Sequence, residues 1–176
     1  MKMHRCRICG ETFLGFDAPS NCPFCGAHAE YFVDTAEYPE NINDIELTDI
    51  ERENLNTSIE VEVSNARFYL AMAARGDNKK LSSAYKRLAK IEAEHCSVFC
   101  KLAKVAKPAK LMTPSEELGS WEADIAESHA REQRASGLYA EFAATASSER
   151  LREVWSAVAV VETDHIALDE LAPSYL

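Results

Sequence analysis

Two tetrapeptides, Glu92-Ala93-Glu94-His95 and Glu162-Thr163-Asp164-His165, share the pattern E-x-[ED]-H and stand 70 residues apart in the same register. Sliding the chain by 70 also pairs Leu55 with Ile125, Glu62 with Glu132, Tyr69 with Tyr139, Leu81 with Leu151, Tyr85 with Trp155 and Leu88 with Val158. Each half therefore carries one Glu, a Tyr seven residues later, and E-x-x-H thirty residues after that Glu. A repeat of this extent implies two copies of one helical hairpin. On a helix, positions three apart share a face, so Glu92 projects with His95 and Glu162 with His165.

The chain from about residue 46 onward is rich in Ala and Glu and nearly free of Gly, and it divides into four helical segments. The first is predicted from about Thr48 to Arg75, stopped by Gly76, and the second from about Lys80 to Lys107, ended by Pro108. The third starts between Thr113 and Trp121 and ends near Ala146. Thr113-Pro114-Ser115-Glu116 has the form of a capping box, but Gly119-Ser120 offers a later start. The fourth runs from about Glu149 to Leu171 and is closed by Pro173.

Helical faces select the remaining acids. Leu55, Ile59, Ala66, Tyr69 and Ala73 surround Glu62 at turn spacings, so Glu62 lies on an apolar stripe, whereas Glu60 shares a face with Glu53, Asn56, Thr57, Ser64 and Arg67. Glu132 lies with Ile125, Ala135, Tyr139, Phe142, Ala143 and Ala146, and Glu127 points elsewhere. Four carboxylates and two imidazoles then meet in one core. Ionised carboxylates are costly to bury unpaired, and two divalent metals would neutralise four of them. This ligand set resembles that of the ferritin-like di-iron and di-manganese four-helix bundles.

The N-terminal residues differ in kind. Cys6-Arg7-Ile8-Cys9-Gly10 and Cys22-Pro23-Phe24-Cys25-Gly26 are two C-x-x-C knuckles, each followed by Gly, in a stretch without helical period. Four thiolates on two tight turns make a tetrahedral cage that suits either zinc or iron. Glycine after each second cysteine allows a positive φ, which folds the turn back toward the sulfurs. Phe13, Phe16, the Asp17-Ala18-Pro19 turn, Tyr31 and Phe32 are expected to wall the cage, and with them the segment resembles the short rubredoxin-like domain of rubrerythrins, which favours iron over zinc.

Taken whole, the chain resembles the reverse rubrerythrins, in which the rubredoxin-like domain precedes the ferritin-like bundle. The expected fold is mainly α, with a rubredoxin-like four-cysteine domain over residues 1–34, a linker over 35–46 and the di-iron bundle over 47–176. Pro39 and four acidic residues between Asp34 and Asp44 favour an extended linker. The resemblance implies that Cys6, Cys9, Cys22 and Cys25 hold one iron and that Glu62, Glu92, His95, Glu132, Glu162 and His165 hold two and are catalytic. It implies reduction of hydrogen peroxide, and also dioxygen, to water, with electrons relayed through the four-cysteine iron from an NAD(P)H-dependent reductase or a rubredoxin. Iron handling by a ferroxidase with a structural zinc knuckle is the alternative, and a non-catalytic zinc module is a third reading.

One departure from many rubrerythrins is visible. A second carboxylate one turn along the third helix is missing, Ala135 standing after Glu132 and His129 before it, so a redox-linked ligand change is in doubt. His129 is a candidate extra ligand or outer neighbour of the site, and Tyr69 and Tyr139 are candidates to bond the ligand carboxylates. Cys96 and Cys100 read as small buried hydrophobes, and Trp121 and Trp155 as core or interface aromatics.

The net charge of -10 repels nucleic acid and anionic lipid. No stretch approaches the roughly 18 apolar residues that span a bilayer. A cytoplasmic location is expected, where cysteines serve as ligands or buried thiols. The resemblance to ferritin-like bundles implies that the second and third helices run parallel, so the link between them is long and taut; exchange of helix pairs in a homodimer, with each site taking half its ligands from each chain, would relieve it.

Overall fold

The structure, a computed structural model, describes residues 1–115 and 118–176. Four helices, α1 (Asp49–Ala74), α2 (Lys79–Ala103), α3 (Trp121–Thr145) and α4 (Glu149–Leu171), follow three short strands, β1 (Lys2–Cys6), β2 (Thr12–Gly15) and β3 (Phe32–Asp34). α1 packs along α2 and α3 along α4, the two hairpins of the repeat.

Local sequence explains most of the ends. Thr48 and Glu51 form a reciprocal capping box at the start of α1, and the second oxygen of the same Glu51 accepts from Ser147 N and Ser148 N, both at 3.0 Å, in the turn between α3 and α4. Burial opposes ionisation of this carboxyl, yet the amides of Thr48 and Ser148 hold its pKa down to about 2. Asn78, Ser120 and Ser148 cap the other three helices by accepting from the third backbone amide.

Two boundaries differ from expectation. α2 stops at Ala103, short of Lys107, because Lys104 turns into the left-handed region (φ 56°) and Val105 N closes back on Cys100 O at 3.1 Å. Pro108 disfavours helical backbone just before it, so the chain exits by this hydrogen-bonded cap a turn earlier. α3 begins at Trp121, the later of the two starts; Glu116 of the other candidate cap lies outside the described residues. The connection returns along α1, with Ser115 N bonding Arg67 O, Arg67 Nε bonding Thr113 O, and Arg75 bonding Gly119 O.

β1 lies between β2 and β3, antiparallel to both. The stretch after β3 is not extended. Thr35–Glu37 forms a 3-10 turn, Tyr38 is buried beneath the Arg5 guanidinium 3.7 Å from its ring, and Arg5 pairs with Glu40. Cation-π attraction and this ion pair outweigh the tendency of Pro39 to extend the chain. Phe16 is exposed and walls nothing, whereas Tyr31 and Phe32 pack against the main apolar core. That core is continuous from Ile8 and Ala27 of the small module to Leu55, Phe99, Trp155 and Val158 of the bundle. No helix among the described residues is long and apolar enough to cross a membrane.

Candidate metal centres

The two knuckles fold alike. Gly10 N bonds Cys6 O and Gly26 N bonds Cys22 O, at 2.8 and 2.9 Å, and both glycines take positive φ (84° and 78°). The geometry brings Cys6, Cys9, Cys22 and Cys25 together, all buried, with their sulfurs within 4.8 Å of one another. Sγ of Cys6 lies 3.8 Å from that of Cys25, and Cys9 from Cys22 likewise. A tetrahedron with metal–sulfur bonds of about 2.3 Å has edges of about 3.8 Å. Contact with Cys22 pushes the Cys9 and Cys25 thiols well up, while contact with Cys25 holds Cys22 down: so many packed sulfurs cannot all ionise without a cation.

The repeat converges in the bundle. Glu62 from α1, Glu92 and His95 from α2, Glu132 from α3, and Glu162 and His165 from α4 share one buried site. They divide into two overlapping groups: Glu62, Glu92, His95 and Glu162, then Glu92, Glu132, Glu162 and His165. His95 Nδ1 lies 3.3 Å from Glu92 Oε2 and 3.2 Å from Glu162 Oε1, and His165 Nδ1 lies 3.1 Å from Glu92 Oε1 and 2.8 Å from Glu162 Oε2. Glu92 and Glu162 thus turn one oxygen to each histidine and would bridge a metal pair, whereas Glu62 and Glu132 each belong to one group and would be terminal ligands.

The donor set fits a metal pair. Both oxygens of Glu92 and of Glu162, Oε2 of Glu62 and of Glu132, and Nδ1 of both histidines are buried without a hydrogen-bond partner among the described residues. Buried polar atoms are nearly always bonded, so this concentration of orphans marks places for cations. Carboxylate-rich sites with imidazole suit iron or manganese.

The two tyrosines cross the repeat. Tyr139 donates to Glu62 Oε1 at 2.6 Å and Tyr69 donates to Glu132, so each half's phenol steadies the terminal carboxylate of the other. His129 is partly exposed on α3 and joins neither cluster, and Ala135, one turn beyond Glu132, is buried. Glu60 is exposed and Glu127 pairs with Arg131 at 2.8 Å. Cys96 and Cys100 are buried, and burial raises both thiols. Sequence reasoning missed the contacts between module and bundle: His95 Nε2 lies 2.8 Å from Cys25 O, Lys101 Nζ donates to Cys9 O at 3.0 Å, and Arg150 donates to Arg7 O at 2.7 Å. No sequence signal marks them, since each partner carbonyl is backbone.

Burial opposes ionisation of Glu92 and Glu162, yet the neighbouring histidines hold both carboxyls down. Burial first, then the charges of Glu162 and Glu92, raises Glu62, and burial with Glu92 and Glu162 raises Glu132. Burial opposes charge on both histidines, but Glu162 outweighs it at His95 and Glu92 at His165. Loading a metal pair is therefore expected to release up to four protons, one from each of these raised groups. The sign follows directly: metal affinity falls as pH falls, because protons compete for the same atoms. Titration in a weakly buffered indicator dye measures the release, and uptake independent of pH between 6 and about 8 would contradict the assignment.

Comparison with known proteins agrees with this geometry. Residues 4–33 match the family model for the rubrerythrin rubredoxin-like domain, and residues 53–121 match that for rubrerythrin. Reverse rubrerythrin-1 of Clostridium acetobutylicum is 35% identical over 112 residues, an alignment covering 58% of this chain and 62% of that relative. No solved structure matches the chain significantly. Both metal clusters fit iron, and the matched segments come in the order module first, bundle second: in these segments the chain is similar to the reverse rubrerythrins, a rubredoxin-like segment preceding a rubrerythrin-like bundle.

Proposed function

We propose that the chain is a peroxidase that reduces hydrogen peroxide, and secondarily dioxygen, to water in the cytoplasm, taking electrons from a reductase or rubredoxin through the four-cysteine site. The observation that carries this reading is the 2.8 Å contact between His95 Nε2 and Cys25 O. One ring thus faces the carboxylate cluster through Nδ1 and bonds, through its other nitrogen, the backbone of a cysteine of the second cluster. The link from Cys25 to His95 is covalent except for a single hydrogen bond. Iron-handling chemistry has no need of such a link, which favours the peroxidase over a ferroxidase with a zinc staple.

Reduction of hydrogen peroxide to two waters consumes two electrons and two protons. Iron would supply the electron exchange, two ions at the carboxylate cluster and one at the four cysteines. The protein's own side chains do the rest. Glu92 and Glu162 hold the two positions together, and the Tyr139 and Tyr69 hydroxyls fix the terminal carboxylates, leaving one oxygen of each without a protein partner. Burial of all six ligands excludes bulk water, which strengthens every charge interaction inside. A groove of about 470 Å³ between α1 and α3, lined by Val61, Ser64, Asn65, Arg131, Ala135 and Leu138, lies one turn from Glu62 and Glu132 and offers a small oxidant a way in.

Stopped-flow spectroscopy tests the relay. Iron-loaded chain, reduced beforehand, should show fast oxidation of its four-cysteine chromophore on mixing with peroxide. Gly26→Ala should slow that step by on the order of tenfold or more, since displacements near 1 Å are costly to aligned reactions. A Cβ at Gly26 would stand 2.6 Å from Val161 Cγ1 and push the module off α4. A module that never changes oxidation state during peroxide turnover would sink the proposal, and a colourless metal-loaded module would favour zinc.

A further inference from the structure

A line of aromatic rings leads from the carboxylate cluster to the surface. Tyr69, bonded to Glu132, stacks on Tyr85 with centroids 5.8 Å apart and planes at 30°. Tyr85 stacks in turn on Trp121, at 6.1 Å and 29°. The tyrosines are fully buried and Trp121 is 7% exposed. Each ring also gives its proton to a carboxylate: Tyr85 to Asp169 at 2.7 Å, and Trp121 Nε1 to Asp77, which is exposed, at 2.9 Å. The Arg75 guanidinium covers the outer indole at 4.4 Å.

The repeat supplies an internal comparison. On the opposite side Tyr139 bonds Glu62, but its ring meets Phe99 at 5.4 Å, while Trp155 meets Phe142 and gives its N–H to Ser58. Phenylalanine is far harder to oxidise than tyrosine or tryptophan, and a serine hydroxyl is a poor proton acceptor. Only the Tyr69 side, among the described residues, joins oxidisable rings in sequence with a base beside each.

We propose that the Tyr69–Tyr85–Trp121 stack carries oxidising equivalents from the di-metal site to the protein surface when the four-cysteine site has no electron to deliver. The idea rests on the peroxidase reading, with peroxide as the oxidant. In one passage an electron leaves the Trp121 indole, moves inward by way of Tyr85 and Tyr69, and the Nε1 proton goes to Asp77. The neutral indolyl radical is restored by one electron and one proton from a thiol or ascorbate in solution. Two passages supply both electrons for one peroxide, and the two protons it needs come from solvent. The chain is thereby spared oxidation at its buried ligands.

Rapid freeze-quench electron paramagnetic resonance on the iron-loaded full chain, fully oxidised beforehand and mixed with peroxide without reductant, reads the radical directly. The expected result is a tryptophan radical, followed on longer exposure by oxygen addition at Trp121 and not at Trp155 in peptide mass spectra. Trp121→Phe should lose the signal. Tyr85→Phe keeps the ring stack but not the oxidisable hydroxyl; it should lose the Trp121 radical at unchanged iron content. Peroxide consumed by the wild-type chain with no radical, or a Trp121 radical undiminished in Tyr85→Phe, overturns this proposal alone. A chain that consumes no peroxide even when reduced overturns the peroxidase reading and the stack's role together.

Discussion

Replacing Glu62 or Glu132 by Ala is expected to abolish binding of the metal pair while leaving the four-cysteine chromophore intact. Each terminal glutamate is the only carboxylate that belongs to a single position, so its loss removes one ligand of four from that group. Loss of an outer partner alone typically weakens metal binding 10- to about 100-fold, and loss of a direct ligand should exceed that. Glu92→Ala or Glu162→Ala should be more damaging, because each removes an oxygen from both positions at once. Elemental analysis beside visible absorbance checks the result. Two metals retained in the bundle of Glu62→Ala would show that a different carboxylate is the ligand.

The second large effect concerns the module. Stripping its metal with a chelator, or replacing Cys9 by Ser, should unfold residues 1–33 while α1 to α4 persist. Its buried side chains are few, chiefly the four cysteines with Ile8 and Ala27, so burial alone cannot hold three short strands together. A structural four-thiolate metal contributes on the order of 10 kcal/mol of binding free energy, which here is folding free energy. Arg150, buried and donating to Arg7 O and Ile8 O, would lose those partners, so the bundle should soften too, by about 1 to 3 kcal/mol. Hydrogen exchange reads both parts in one experiment. Unchanged protection at β1 and β3 after metal removal would contradict this account.

Helix existence and facing were legible because they are local. The stripe around Glu62 and the solvated face of Glu60 follow from 3.6-residue periodicity, and the structure buries the first and exposes the second. Helix ends were less so: Lys104 takes a left-handed cap that its residue type does not announce, and the stretch after β3 folds back through Arg5 and Tyr38, distant in sequence. Phe16, expected in the wall around the sulfurs, faces solvent at a strand end.

By itself, the sequence determined the inventory: two cysteine knuckles, two E-x-x-H motifs and two further core-facing glutamates, each readable from spacing along one short segment. Only the tertiary structure decided how they relate. That Glu92 and Glu162 belong to both ligand groups while Glu62 and Glu132 belong to one each, that each tyrosine serves the other half's carboxylate, and that Cys25 O meets His95 are matters of how separate elements are placed. Periodicity fixes a side chain's direction about its own helix axis. It carries no information about the offset between two helices or about where a backbone carbonyl of a distant loop will come to rest, and those quantities assign the chemical roles.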